Sequence, residues 1–121
     1  MELDPWIVRH IFPGAYPPSL GEVLPGACES AHLSVLDVEN LRLHYALTLK
    51  HWLDRFEANV DAVRAMFDDA FVRMWRLYLA SSQASFASGD LQLFQVTCGR
   101  AADNTQPLTR RDLYDAAHGT L

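Results

Sequence analysis

The sequence is poor in the residues that build metal and cofactor sites. Its 121 residues contain two cysteines, Cys28 and Cys98, with no C-x-x-C pair and no histidine at ligand spacing. That spacing argues against a zinc site and implies no disulfide framework. The pair reads instead as two buried thiols acting as small hydrophobes. None of the six glycines sits in the strand, Gly-rich turn and helix that usually cradle a nucleotide or adenosyl cofactor. The G-x-S-x-G and H-E-x-x-H patterns are missing as well. Basic residues cluster only at Arg110-Arg111, and a formal net charge of −5 argues against a nucleic-acid surface. No window approaches the roughly 20 apolar residues of a membrane span. The first ten residues, MELDPWIVRH, lack the apolar core of a signal peptide, so the chain reads as cytosolic. Its acidity works against strong attraction to anionic lipid but leaves room for a lipid acyl chain as ligand. No internal repeat or low-complexity segment is visible.

Apolar side chains, by contrast, are plentiful. Half of the residues are hydrophobic and thirteen are aromatic, three of them Trp. This suffices for the core of one domain, or of part of a larger one. Asp4-Pro5 before WIVRHIF gives a capped short helix that stops at Pro13-Gly14. Ser19 and Glu22 match a capping box, starting a second short helix that either ends near Pro25-Gly26 or resumes through Ala27 to Ala31. Leu33 to Val38 is β-compatible and only partly alternating, as in a strand buried on both faces, with Asp37, Glu39 and Asn40 ending it. From His44 to about Asn59 the period becomes helical, and Tyr45, Leu49, Trp52, Leu53 and Phe56 form one stripe. A second long helix places Phe67, Phe71, Met74, Trp75, Tyr78, Leu79 and Ser82 on one face, with Arg64, Asp68, Arg73 and Arg76 opposite. It ends at Gly89, a left-handed cap. Leu91 to Thr97 alternates as a strand.

His44-Tyr45 is the one pair that looks chemically placed. It sits at a helix start just after a strand, where ligands of open α/β sheets lie. A Tyr hydroxyl there can donate to an anion, and its ring face can stabilise a positive charge. Equally, Tyr45 could cap the apolar stripe while His44 faces water. Glu39 reads as a functional carboxylate or as a turn acid near a helix N-terminus. The two aromatic stripes fit either helix-on-helix packing or the wall of an apolar tunnel for a long-chain ligand. Residues alone leave these alternatives open.

Three segments, WIVRHIFPGAYPPSL (Trp6–Leu20), LDVENLRLHYALTLKHWLDRF (Leu36–Phe56) and FVRMWRLYLASSQASFASGDLQLFQV (Phe71–Val96), together with PLTRRDLY (Pro107–Tyr114), resemble the C-terminal part of the cyclopropane-fatty-acyl-phospholipid synthases, a family that includes the mycolic acid cyclopropane synthases. The resemblance implies methyl transfer from S-adenosyl-L-methionine to a cis double bond of a lipid acyl chain, with bound bicarbonate taking a proton before ring closure. It implies that Tyr45 occupies the position of the tyrosine that helps hold bicarbonate, and that Leu49, Ser82 and Phe86 line the acyl site. Ser82 departs from the family, where cysteine is common. Some relatives methylate without cyclising, which leaves the product open.

The fold expected is α+β, mainly helical with two antiparallel strands, the C-terminal part of a Rossmann-like class I methyltransferase fold. Residues 1–121 then form one lipid-site unit. The resemblance implies that the family's adenosylmethionine loop and its Cys, Glu and His bicarbonate ligands would precede this sequence. The chain alone is therefore expected to be inactive, with a separate adenosylmethionine-binding half as a candidate partner and peripheral contact with a membrane surface allowed. The alternative is a non-catalytic helical module that binds an apolar ligand or a partner protein.

Overall fold

A computed structural model describes residues 4–111 and 114, apart from the side chains of Ala27 and Glu29. Short helix α1 (Pro5–His10) begins where the Asp4 carboxylate accepts from the Trp6 N–H at 2.8 Å. Its Pro lies in the first turn, where the missing N–H costs nothing. Helix α2 (Leu20–Val23) starts on the expected capping box, Glu22 accepting from the backbone N–H and hydroxyl of Ser19. The chain does not stop at Pro25-Gly26. It continues as a π-helical stretch, Leu24–Glu29, closed by a bond from the Ser30 N–H to the Pro25 carbonyl.

Strand β1 (Leu33–Asn40) pairs antiparallel with β2 (Phe94–Arg100) in a two-stranded sheet. Val35 faces Cys98 and Asp37 faces Thr97, so Leu36 is an extra, bulged residue. A bulge breaks the two-residue alternation of a strand. The expectation of a strand buried on both faces is corrected here. No residue of β1 is buried, and Val35 and Leu36 are exposed, because β2 is its only strand neighbour among the described residues. β1 also runs on through Asp37 and Glu39 to Asn40, and β2 begins at Phe94 instead of Leu91, since Leu91 and Gln92 serve the end of the preceding helix.

Helix α3 (Arg42–Ala58) packs antiparallel on α5 (Asp69–Ser88), with α4 (Val60–Met66) between them in sequence. The expected second helix, with Arg64 and Asp68 on one continuous face, is in fact broken at Phe67. Asp68 caps α5 by accepting from the Phe71 N–H at 2.7 Å, while Arg64 sits in α4 and bonds Asp61 at 2.6 Å and Asp69 at 2.7 Å across the break. The core is Leu49 and Phe56 of α3 against Val72 and Leu79 of α5. Each pair is spaced seven residues apart, the repeat of two helices meeting along a shallow seam. Arg76 and Glu57 join the helices at the surface, at 2.5 and 2.8 Å. Gly89 closes α5 with φ +100°, the left-handed cap expected of it. No described helix is long and apolar enough to cross a membrane.

Candidate functional site

The start of α3 and the end of α5 are held side by side by a polar clasp. The Asn40 side chain accepts from the Arg42 N–H and donates to Gln92, each at 2.9 Å. Gln92 in turn donates to the Gly89 carbonyl at 2.9 Å. The Arg42 guanidinium donates to the carbonyls of Phe86 and Ala87 at 2.7 and 2.9 Å. Carbonyls at a helix C-terminus lack partners within the helix, and a cation there also meets the negative end of the helix dipole. Strand β2 is fastened to the same corner by the bond from the Leu41 N–H to the Leu93 carbonyl, 2.8 Å.

Beside this clasp lies an apolar groove of about 390 Å³. Its floor is Tyr45 and Leu49 of α3 with Tyr78, Ser82 and Phe86 of α5, and Leu91 and Leu93 flank it. The opposite wall comes from the α1 region, through Ile7, Phe12, Ala15, Tyr16 and Pro17. Tyr45 stands edge-on to Phe86 with ring centroids 4.8 Å apart, and to Trp52 at 6.0 Å. Phe12 meets Tyr78 edge-on at 5.8 Å, which attaches the wall to α5. Tyr16 and Glu22 are hydrogen-bonded to each other, linking the wall to α2.

The four residues singled out from sequence, Tyr45, Leu49, Ser82 and Phe86, thus line one groove. His44 does not join them. It is exposed, and its carbonyl accepts from the Thr48 hydroxyl at 3.2 Å. Glu39 lies elsewhere, in a polar cleft on the sheet with Asp37, Thr97 and Arg110, where Arg110 and Asp37 are paired at 2.6 Å. Tyr78 is the groove residue whose polar end sequence reasoning overlooked, because its place in an aromatic stripe made it look like core alone. Burial, and then the neighbouring Tyr45, push its phenol above the ordinary value, while the Ser82 hydroxyl acts the other way. The proton therefore stays on Tyr78, which remains a donor.

The polar side-chain groups of the described residues in the groove are hydroxyls, and among the described residues no Arg, Lys or His lines it. Among the described residues no cluster of His, Cys, Asp or Glu could hold a metal ion. The turn from β1 to α3 runs through Asn40 and Leu41 without glycine, so it offers no close backbone approach to a phosphate or adenosyl group.

Comparison with known proteins decides the family. The family model of mycolic acid cyclopropane synthetase matches residues 1–96. The chain belongs to the mycolic acid cyclopropane synthetase family. It is 42% identical over 93 residues to the tuberculostearic acid methyltransferase UfaA1 of Mycobacterium tuberculosis, a match over 76% of this chain and 22% of that protein. It is 39% identical over 112 residues to a probable fatty acid methyltransferase of Pseudomonas putida, over 90% of this chain and 28% of that protein. The chain therefore spans about a quarter of the length of these relatives. Its fold is similar to the crystal structure of mycolic acid cyclopropane synthase CmaA1 complexed with SAH and CTAB, with a TM-score of 0.73 and 31% identity, over 77% of this chain and 32% of that one. Helices α1 to α5 beside one antiparallel strand pair are thus part of a class I methyltransferase fold, as the resemblance implied.

Proposed function

We propose that this chain forms the acyl-chain site of an S-adenosyl-L-methionine-dependent methyltransferase acting on unsaturated lipid acyl chains, in the manner of the cyclopropane-fatty-acyl-phospholipid synthases. Residues 1–121 are in this reading the C-terminal, lipid-site part of a methyltransferase domain. The observation that carries it is the convergence of Tyr45, Leu49, Ser82 and Phe86 on one apolar groove in a chain of this family.

The groove suits an alkyl chain. Phe86, Leu91 and Leu93, over the completely buried Leu49, offer apolar surface that excludes water and leaves the position of a chain to shape alone. Tyr45, fixed edge-on by Phe86, presents a ring face that stabilises positive charge on a bound chain. S-adenosyl-L-methionine supplies the methyl group in such enzymes, but the described residues do not fit it. Gly14 lies in a turn, Gly21 in α2, Gly26 in the π-helical stretch, Gly89 at a helix end and Gly99 in β2. Bicarbonate fits only in part. Tyr45, Tyr78 and Ser82 can donate hydroxyl hydrogen bonds to an anion, but the described residues of the groove supply no cation to balance it. Catalysis accordingly requires a partner segment that brings the adenosylmethionine site.

The test is an assay of the purified chain with S-adenosyl-L-methionine and unsaturated phospholipid, alone and mixed with the adenosylmethionine-binding half of a family relative. The reading expects no product from the chain alone and methylene or methyl addition in the mixture. Turnover by the chain alone overturns the need for a partner. A failure of the chain to bind oleic acid, followed by Trp fluorescence, overturns the acyl site.

A further inference from the structure

The two cysteines, 70 positions apart in sequence, meet in the fold with their sulfurs at 3.1 Å. Cys28 projects from the π-helical stretch and is 4% exposed. Cys98 is half-buried in β2, opposite Val35 and next to the bulge at Leu36. A covalent S–S bond is about 2.05 Å long, so the sulfurs need close by only about 1 Å.

We propose that Cys28 and Cys98 form a reversible disulfide that latches the groove's outer wall to the sheet. The placement gives the bond a mechanical consequence. Among the described side chains from Asp4 to His32, Cys28 is the sole buried one. That segment includes the groove wall and is otherwise tied to the helices by contacts such as Phe12 on Tyr78, the bond from Tyr16 to Glu22 lying within the segment itself. Elements with little buried surface open most easily. A covalent link at their one buried point therefore restrains them more than it restrains α3 and α5, which have their own core.

The exposures also set the order of the chemistry. A small-molecule disulfide such as oxidised glutathione reaches the half-buried Cys98 first. The Cys98 thiolate attacks one glutathione sulfur, breaking the glutathione S–S bond, releasing one reduced glutathione and leaving a mixed disulfide. The adjacent Cys28 thiolate then attacks the Cys98 sulfur and expels the second glutathione. Two protein thiols become one disulfide, their two protons end on two glutathione thiols, and the electrons pass to glutathione. A reducing glutathione pool runs the same steps backwards, so the latch follows the redox poise of its surroundings.

The test is to equilibrate the purified chain with oxidised or reduced glutathione, then measure thiol content, map peptides by mass spectrometry and record thermal melts. Expected are loss of two thiols, a Cys28–Cys98 cross-linked peptide within one chain, and a melting temperature raised by about 10 °C and restored by dithiothreitol. Cleavage by trypsin after Arg9 should slow in the oxidised form. Retention of both thiols, stable glutathione adducts, or links between chains overturns the proposal. Cys98→Ser should remove the temperature rise; if it persists in that variant, the latch is not its cause.

Discussion

The Arg42 guanidinium bonds the carbonyl of the same Phe86 whose ring, 4.8 Å away, holds Tyr45 edge-on. Arg42 and Tyr45 share the first turn of α3. One end of α5 is thus gripped twice by one turn of α3, by a charge-assisted backbone bond and by an aromatic contact. The position of the Tyr45 hydroxyl in the groove depends on both.

Replacing Arg42 by Met keeps much of the stem's packing and removes both bonds to α5. Two carbonyls at the helix end then lose their donor, and the expected loss is about 1–2 kcal/mol of stability in urea denaturation. Arg42→Lys should recover less than half, since an ammonium on a flexible stem does not reproduce the planar fork that reaches Phe86 and Ala87 together. Full recovery by Lys would show that charge alone matters at this corner.

Gly89→Ala should cost about 1–2 kcal/mol by the same measurement. The reason is backbone conformation, since φ is +100° and a Cβ is penalised there. Space is not the cause: the nearest atom to a Cβ at this position would be a guanidinium nitrogen of Arg42, 3.8 Å away. An unchanged stability would mean that the end of α5 relaxes without loss, and that the clasp, not the glycine, sets its geometry.

Local signals were well expressed in the sequence. Asp4 before Pro5, the Ser19–Glu22 box and Gly89 each act through backbone groups a few residues away, so their meaning survives without knowledge of the fold. What depends on distant partners was less legible. The break between α4 and α5 is made by Asp68 turning back to the Phe71 N–H, yet in the sequence the aromatic spacing from Phe67 to Phe71 continues the helical period across it. The rings of these two residues do stack at 4.2 Å, so the period is real although the helix is not continuous. The buried face of α5 is only partly the one expected. Leu79 is core, with Trp75 and Tyr78 packed against it, but Val72, off the expected stripe, is core as well, and Phe71 and Met74 turn towards Trp6 and His10 in a second groove. Two apolar faces on one helix blur any single stripe. The groove residues were reached through family resemblance. Periodicity put Tyr45 and Ser82 on apolar stripes without saying that the stripes meet, and the meeting of Cys28 with Cys98 left no trace in their spacing.

Tyr16 and Glu22 offer a pH test of the wall. The hydrogen bond from Tyr16, then those from Ser19, lower the Glu22 carboxyl to about 2 from an ordinary 4.5. A carboxyl depressed in the folded state contributes stability that is present above about 4.5 and lost as the pH falls towards 2. The Tyr16 phenol is raised by the same bond, so its contribution is present below its unfolded value and lost as the pH rises through the folded one. Both groups are exposed, and solvent weakens the effect. The melting temperature of Glu22→Gln should fall less steeply than that of the parent chain between pH 4.5 and 2, and Tyr16→Phe should behave similarly. Parallel curves in that window would mean that the bond is not formed in solution.

Leu49 and Ser82 share the groove but not the same role in the fold, and this separates ligand binding from folding. Leu49 is completely buried, joining the groove to the core with Phe56, Val72 and Leu79. Leu49→Ala should remove about 2–4 kcal/mol of stability by opening a cavity, and any loss of ligand binding will be mixed with unfolding. Ser82 faces the groove and is only partly buried. Ser82→Phe should leave the core largely untouched while filling part of the space an alkyl chain would occupy. Its expected signature is a melting temperature within a few degrees of the parent chain with oleic acid binding weakened by roughly tenfold or more, the equivalent of about 1.4 kcal/mol. Ser82→Ala, which widens the groove slightly and removes a hydroxyl, should bind at least as well as the parent chain. If Ser82→Phe binds unchanged, the alkyl chain lies outside this groove, and the shared lining of Tyr45, Leu49, Ser82 and Phe86 is packing alone.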